Sequence, residues 1–169
     1  MMKPLEQWVC DTCGRLIESP DQGMLEWSVD ELGVASGFRI VHEPGASPLP
    51  ESGGTGGCQY RTDEVESLHD WPLSMYLGPA GLSELLTFLD SNPYLEPDYR
   101  GITFHNGREF ANLIRRLHLP HYEEGRLYWE EALADDEEYA VYIHEGSGSA
   151  PFKIEKLKEL IERYGPRDT

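Results

Sequence analysis

Two cysteines two residues apart, followed directly by glycine, constrain this chain more than anything else in its 169 residues. They lie in Trp8-Val9-Cys10-Asp11-Thr12-Cys13-Gly14. The spacing lets two thiolates from one tight turn reach a single cation, and Gly14 suits the positive φ that such a turn demands. The third and last cysteine is Cys58, and His42 lies between. The set Cys10-x2-Cys13-x28-His42-x15-Cys58 supplies three sulfurs and one imidazole. That is a complete ligand set for one tetrahedral zinc.

The Cys-x2-Cys-Gly run resembles the zinc knuckles of zinc ribbons, treble clefs and LIM-type modules. The resemblance covers roughly residues 8–60 and rests on Cys10, Cys13, Gly14, His42 and Cys58. It departs from those families in its second half. They draw their last two ligands from another close pair, whereas His42 and Cys58 are well separated. The resemblance implies a structural zinc and a domain that binds a partner. A filled tetrahedron leaves no position for an activated water, so no catalytic residue is assigned to this site.

Cysteine usage and charge bound the setting. Three thiols are an odd number for a disulfide framework, but all three fit one metal site, which points to a reducing cytoplasm. The first residues, Met1 to Gln7, contain no apolar run of a signal peptide, and no stretch is apolar enough for a membrane span. Acidic residues outnumber basic ones 31 to 14, for a net charge of -17. Such a chain repels nucleic acid and anionic membranes at long range, and favours a partner with a basic surface. The hydrophobic fraction of 39% is enough to build a core.

The pattern along the chain predicts an α+β fold: a β-rich zinc-binding region over 1–67 and a mainly helical region over 68–169, with about four helices. Trp8 and Val9 before the knuckle, and Leu16 and Ile17 after it, read as strands of a hairpin. Leu25, Trp27 and Val29 alternate with Glu26 and Ser28 at strand period. The segment Asp30 to Gly37 reads as a turn. In the next strand Phe38, Ile40 and His42 share one face, so the imidazole points towards a core-side metal. Residues 43–57, rich in glycine and proline, read as a flexible loop between two ligands. From residue 68 the pattern is helical. Pro79 opens a helix with a stripe of Leu82, Leu85, Leu86 and Leu89, ended by Asn92-Pro93. A second starts at Asn106, with Glu109 completing a capping box and Phe110, Leu113, Ile114 and Leu117 inward. Pro120 begins a third, with Tyr122, Arg126, Trp129 and Leu133 on one side. Tyr139 to Ile143 leans towards a strand. The last helix runs from about Pro151 to Tyr164, with Ile154, Leu157, Leu160, Ile161 and Tyr164 inward. The tryptophans and Tyr122 read as core.

Other constellations are weaker. His118 and His121, beside Glu123 and Glu124, straddle Pro120 and so share no helical face. The acidic run Asp135 to Glu138, with Glu130 and Glu131, lacks the alternation and turn glycine of a calcium loop. Gly146-Ser147-Gly148-Ser149 and the glycines at 53–57 read as turns, with neither a nucleophile elbow nor a phosphate loop.

These features converge on a non-enzymatic zinc-binding module that acts through protein interaction, in the manner of a bacterial or phage accessory, regulatory or immunity-type protein. Two alternatives make different demands. A metal-dependent hydrolase or nuclease needs His105, His118, His121 or the acidic run to converge on one cleft. An acidic mimic of nucleic acid needs its carboxylates spaced along one elongated face.

Overall fold

The computed structural model describes residues 1–50, 57–61, 67–90, 103–135 and 150–166. The architecture is α+β, with strands concentrated in the N-terminal part and helices in the C-terminal part. The hairpin expected around the knuckle is present: β1 (Trp8–Val9) pairs antiparallel with β2 (Leu16–Ile17). Among the described residues a second sheet has four strands, β3 (Gly23–Val29), β4 (Val34–His42), β5 (Leu68–Pro72) and β6 (Thr103–Phe104), in the order β5-β3-β4-β6. Its centre is β3 (Gly23–Val29) against β4 (Val34–His42), antiparallel, joined by a turn in which Gly33 N–H bonds to Asp30. The turn is therefore shorter than the sequence pattern suggests, because Val34 to Gly37 already belong to the strand.

The register of this pair slips by one residue between Glu26 and Ser28, so that Gly37 and Phe38 together face Trp27. Gly37 has φ +68°, the left-handed conformation that a glycine bulge takes and that a side chain resists. The bulge holds Phe38 stacked on Trp27, with ring centroids 5.8 Å apart, and 5.5 Å from Phe110.

Two further strands extend the sheet. β5 (Leu68–Pro72) pairs antiparallel with β3, and β6 (Thr103–Phe104) pairs parallel with β4. The helical pattern expected from residue 68 is thus corrected: the sheet recruits Leu68–Pro72 as an edge strand before the first helix begins. Trp71 on that edge is exposed rather than core.

α1 (Gly78–Thr87) has Pro79 in its first turn and buries Leu85. It ends at Thr87, earlier than Asn92-Pro93, and Leu86 and Leu89 are exposed, so the inward stripe is narrower than expected. α2 (Gly107–His118) is capped by Asn106, whose side chain accepts from the Arg108 N–H at 3.0 Å. Glu109 does not turn back to close the box; its carboxylate instead accepts from the backbone N–H of Gly37 at 3.1 Å. A bond to the bulged strand displaces the local one. Phe110, Leu113 and Leu117 are buried as expected. The helix predicted from Pro120 is broken into α3 (Tyr122–Gly125), a 3-10 turn at Arg126–Tyr128 and α4 (Trp129–Asp135), and Leu133 is exposed. α5 (Ile154–Tyr164) buries Leu157, Leu160 and Ile161 but exposes Ile154, which sits at its first turn. The expected strand at 139–143 and the serine–glycine turn at 146–149 lie outside the described residues. No helix among the described residues is long and apolar enough to cross a membrane.

Trp27, Phe38, Phe88, Phe104 and Phe110 form a chain of ring contacts that joins the central sheet to α2. Strand alternation turns Glu26 away from Leu25 and Trp27, yet not into solvent. Residues 57–61 cover it: Tyr60 N–H donates to both Glu26 oxygens at 3.1 Å, and Arg39 pairs with the same carboxylate while its guanidinium lies 3.3 Å from the centre of the Tyr60 ring. Burial raises the Glu26 carboxyl above the usual carboxylate range, despite the opposing pull of Arg39. The same cover brings Cys58 home.

Candidate metal centre

Ligand atoms of Cys10, Cys13, His42 and Cys58 all lie within 4.8 Å of one another. Cys10, His42 and Cys58 are buried and Cys13 is half-buried. Four residues spread over the first fifty-eight positions are therefore close enough to bind one metal ion. Among the described residues this is the group of histidine, cysteine and carboxylate side chains that could hold one.

Each arrives by a local cause. The hairpin β1–β2 presents the knuckle turn, closed by Cys10 N–H to Arg15 and Gly14 N–H to Cys10, both at 2.9 Å. Gly14 adopts φ +70°, as the turn requires. Asp11, inside that turn, fastens it to β4: its N–H donates to the carbonyl of Ile40 at 2.9 Å, and its carboxylate accepts from Ile40 N–H at 2.7 Å. Two residues on, the same strand delivers His42. The Thr12 hydroxyl donates to the carbonyl of Cys58 at 2.5 Å, which ties the returning chain to the knuckle.

The imidazole is oriented for ligation. Its Nδ1 stands 3.5 Å from the sulfur of Cys13 and 3.7 Å from that of Cys58. A zinc tetrahedron with ordinary zinc–sulfur and zinc–nitrogen bonds has a sulfur–nitrogen edge of about 3.6 Å. Nε2 sits 3.2 Å from the carbonyl of Leu16, the acceptor that would hold the proton on Nε2 and leave the Nδ1 lone pair for a metal. The Ser47 hydroxyl donates to the sulfur of Cys58 at 3.2 Å. Ser47 belongs to the stretch that reads as featureless loop in the sequence. It follows a 3-10 turn at Pro44–Ala46, and Leu49 packs on the core, so the described start of that loop is built rather than slack.

Electrostatics favour a cation here. Burial pushes the Cys58 thiol up to about 11, with Cys10 and Cys13 adding to the rise and Ser47 opposing it. A cluster of buried sulfurs is poorly served as bare thiolates, and a divalent ion reverses that penalty.

A second group of side chains, whose association no sequence pattern announces, locks the knuckle to the helices. Arg116 is buried on α2. Its guanidinium donates to Asp11 at 2.6 Å, to Glu123 at 2.7 and 3.0 Å, and to the carbonyl of Val9 at 3.2 Å. Arg126 adds two bonds to Glu123 at 2.9 Å and reaches Asp11 at 3.5 Å. Glu123 also accepts from Val9 N–H at 3.0 Å, and the indole of Trp8 donates to the carbonyl of Arg116 at 3.1 Å. Burial works to raise the Glu123 carboxyl, but the two guanidinium groups win and hold it below the usual range. The sequence offers no local mark of this network: Arg116 sits next to Leu117 and three residues after Leu113, and only the fold shows that it is buried.

Among the described residues the remaining candidates do not assemble into a metal-competent group. His105 is exposed, and His118 and His121 are each half-buried with pKa values lowered by burial. Neither joins a metal-competent group among the described residues. Glu123 and Glu124, which lie near them in sequence, are used by Arg116, Arg126 and the N–H of Met2. Glu130 and Glu131 are exposed, and residues 136–138 of the acidic run lie outside the described residues. No family model, curated protein or solved structure matches the chain.

Proposed function

We propose that this protein is a zinc-binding, non-enzymatic interaction module, in which Cys10, Cys13, His42 and Cys58 enclose one structural Zn²⁺ and an acidic surface receives a partner with a basic face. The observation that carries the reading is the closed donor set: three sulfurs and an imidazole nitrogen gathered within 4.8 Å, mostly buried, with the histidine already oriented by Leu16. Three sulfurs with one nitrogen select zinc over harder cations, and four protein ligands leave no site for water. The zinc fixes the knuckle against β4. The net charge of -17 steers a basic partner towards the folded module. A reducing cytoplasm suits the three thiolates.

The test uses metal-loaded protein as bait against its native cell extract, beside a metal-free Cys58→Ser bait. The reading expects a basic protein retained by the loaded bait, released at high salt and missed by the variant. Equal retention by both baits, or retention indifferent to salt, would overturn it.

A further inference from the structure

A cavity of about 350 Å³ opens where the knuckle, the bulged strand and the helices meet. Phe38, Tyr122 and Trp129 supply aromatic walls; Asp11, Arg116 and Arg126 come from the ionic network, and Glu109 and Asn112 from α2. This is the size and composition of a small-molecule site at a junction of substructures.

The polar groups lining it are incompletely used. Arg126 binds Glu123 and Asp11 through Nε and Nη2, and its Nη1 has no partner among the described residues. Asn112 Oδ1 accepts from Arg115 at 3.0 Å and from the Tyr122 hydroxyl at 3.2 Å, which leaves its amide N–H₂ free among the described residues. Glu109 commits Oε2 to Gly37 N–H, and its Oε1 has no such bond. The buried indole N–H of Trp129 also has no acceptor among the described residues. Donors and a carboxylate are thus presented together, beside aromatic rings.

Charge decides among ligand classes. The lining guanidinium groups of Arg116 and Arg126 are already paired with Asp11 and with Glu123, whereas the lining carboxylate of Glu109 has no ion pair among the described residues. An anionic ligand meets the unpaired Glu109 carboxylate, and a purely cationic one leaves Arg126 Nη1 and the Asn112 amide without an acceptor. A molecule carrying both signs satisfies both through charge-assisted bonds, which are about twice as strong as neutral ones. We infer that this cavity binds a small zwitterion of the free amino acid class with an aromatic or large apolar side chain. Its carboxylate faces Arg126 and Asn112, its ammonium faces Glu109, and its side chain lies against Phe38 and Trp129.

The test is calorimetric titration of the full-length, metal-loaded protein with phenylalanine, tyrosine, tryptophan and leucine. Phenylalaninamide, which is cationic, and N-acetylphenylalanine, which is anionic, serve as probes of each charge. Saturable binding of at least one amino acid is expected, weakened about tenfold or more when either charge is removed. Glu109→Gln keeps an oxygen for Gly37 N–H, so the fold is retained, and it should bind phenylalanine no better than the wild type binds N-acetylphenylalanine. Absence of binding by all four amino acids at millimolar concentration overturns the inference. So does an amide or an N-acetyl derivative that binds as well as the parent, because the site would then read a single charge.

Discussion

Replacing Arg116 with methionine should damage this protein out of proportion to the loss of one surface charge. The Arg116 side chain is 8% exposed and that of Glu123 is 7% exposed. The substitution removes four hydrogen bonds: two to Glu123, one to Asp11 and one to the carbonyl of Val9. Breaking a buried ion pair from one side costs about 3–5 kcal/mol, chiefly because the surviving charge stays buried. Here Arg126 still holds Glu123 through two bonds of 2.9 Å, which places the expected loss at the lower end, about 3 kcal/mol. Methionine fills much of the aliphatic volume, so little of the loss comes from a cavity. Urea denaturation of metal-loaded protein measures it. The sharper readout is the double variant Arg116→Met/Glu123→Gln, in which the stranded carboxylate is gone. Its cost should fall short of the sum of the single costs by about 1–2 kcal/mol, as for residues in direct contact. Additivity within about 0.5 kcal/mol, or a single-variant cost under about 1 kcal/mol, would refute the claim that the network acts as one buried unit.

Two further outcomes follow from the same structure. Because Glu123 titrates lower in the folded chain than its ordinary value, its stabilisation is fully present above the unfolded pKa of about 4.3 and is lost as pH falls through the depressed folded value. The difference in urea midpoint between wild type and Glu123→Gln should therefore shrink from neutral pH towards pH ~3, and a constant difference would contradict the assignment. Gly37→Ala places a Cβ 2.7 Å from the Tyr60 hydroxyl at φ +68°, and should cost at least the ~1–2 kcal/mol of a left-handed side-chain residue, seen as a lower Tm; an unchanged Tm would show that the bulge is not needed.

Much of the candidate site was legible in the sequence because its signals are local or parity-based. Cys10, Cys13 and Gly14 form one turn, and His42 takes its direction from strand alternation with Phe38 and Ile40. The α+β division is visible for the same reason, since strand and helix periods differ. What stayed hidden depends on distant partners. Asp11 and Arg116 lie 105 positions apart, and nothing in either neighbourhood marks the pair. Glu26 reads as a wet strand position, and only the return of Tyr60 over Arg39 buries it. Glu109 has the spacing of a capping box, but a tertiary bond to Gly37 outcompetes the local one. Leu86 and Leu89 fit a helical stripe by type and spacing, while α1 packs on the 3-10 turn Leu73–Tyr76 and on α2 with Leu85 buried and these two left exposed. The edge strand Leu68–Pro72 is set by its pairing with β3, which no local pattern announces.

The central claim is that four side chains enclose one zinc with no vacancy for water. X-ray absorption at the zinc edge, together with metal content by mass spectrometry, tests it most directly on protein purified under reducing conditions. The account predicts about one equivalent of zinc per chain in a shell of three sulfurs and one nitrogen, with stoichiometric metal lost in Cys58→Ser. A shell containing a water oxygen, or full zinc content in Cys58→Ser, would contradict it.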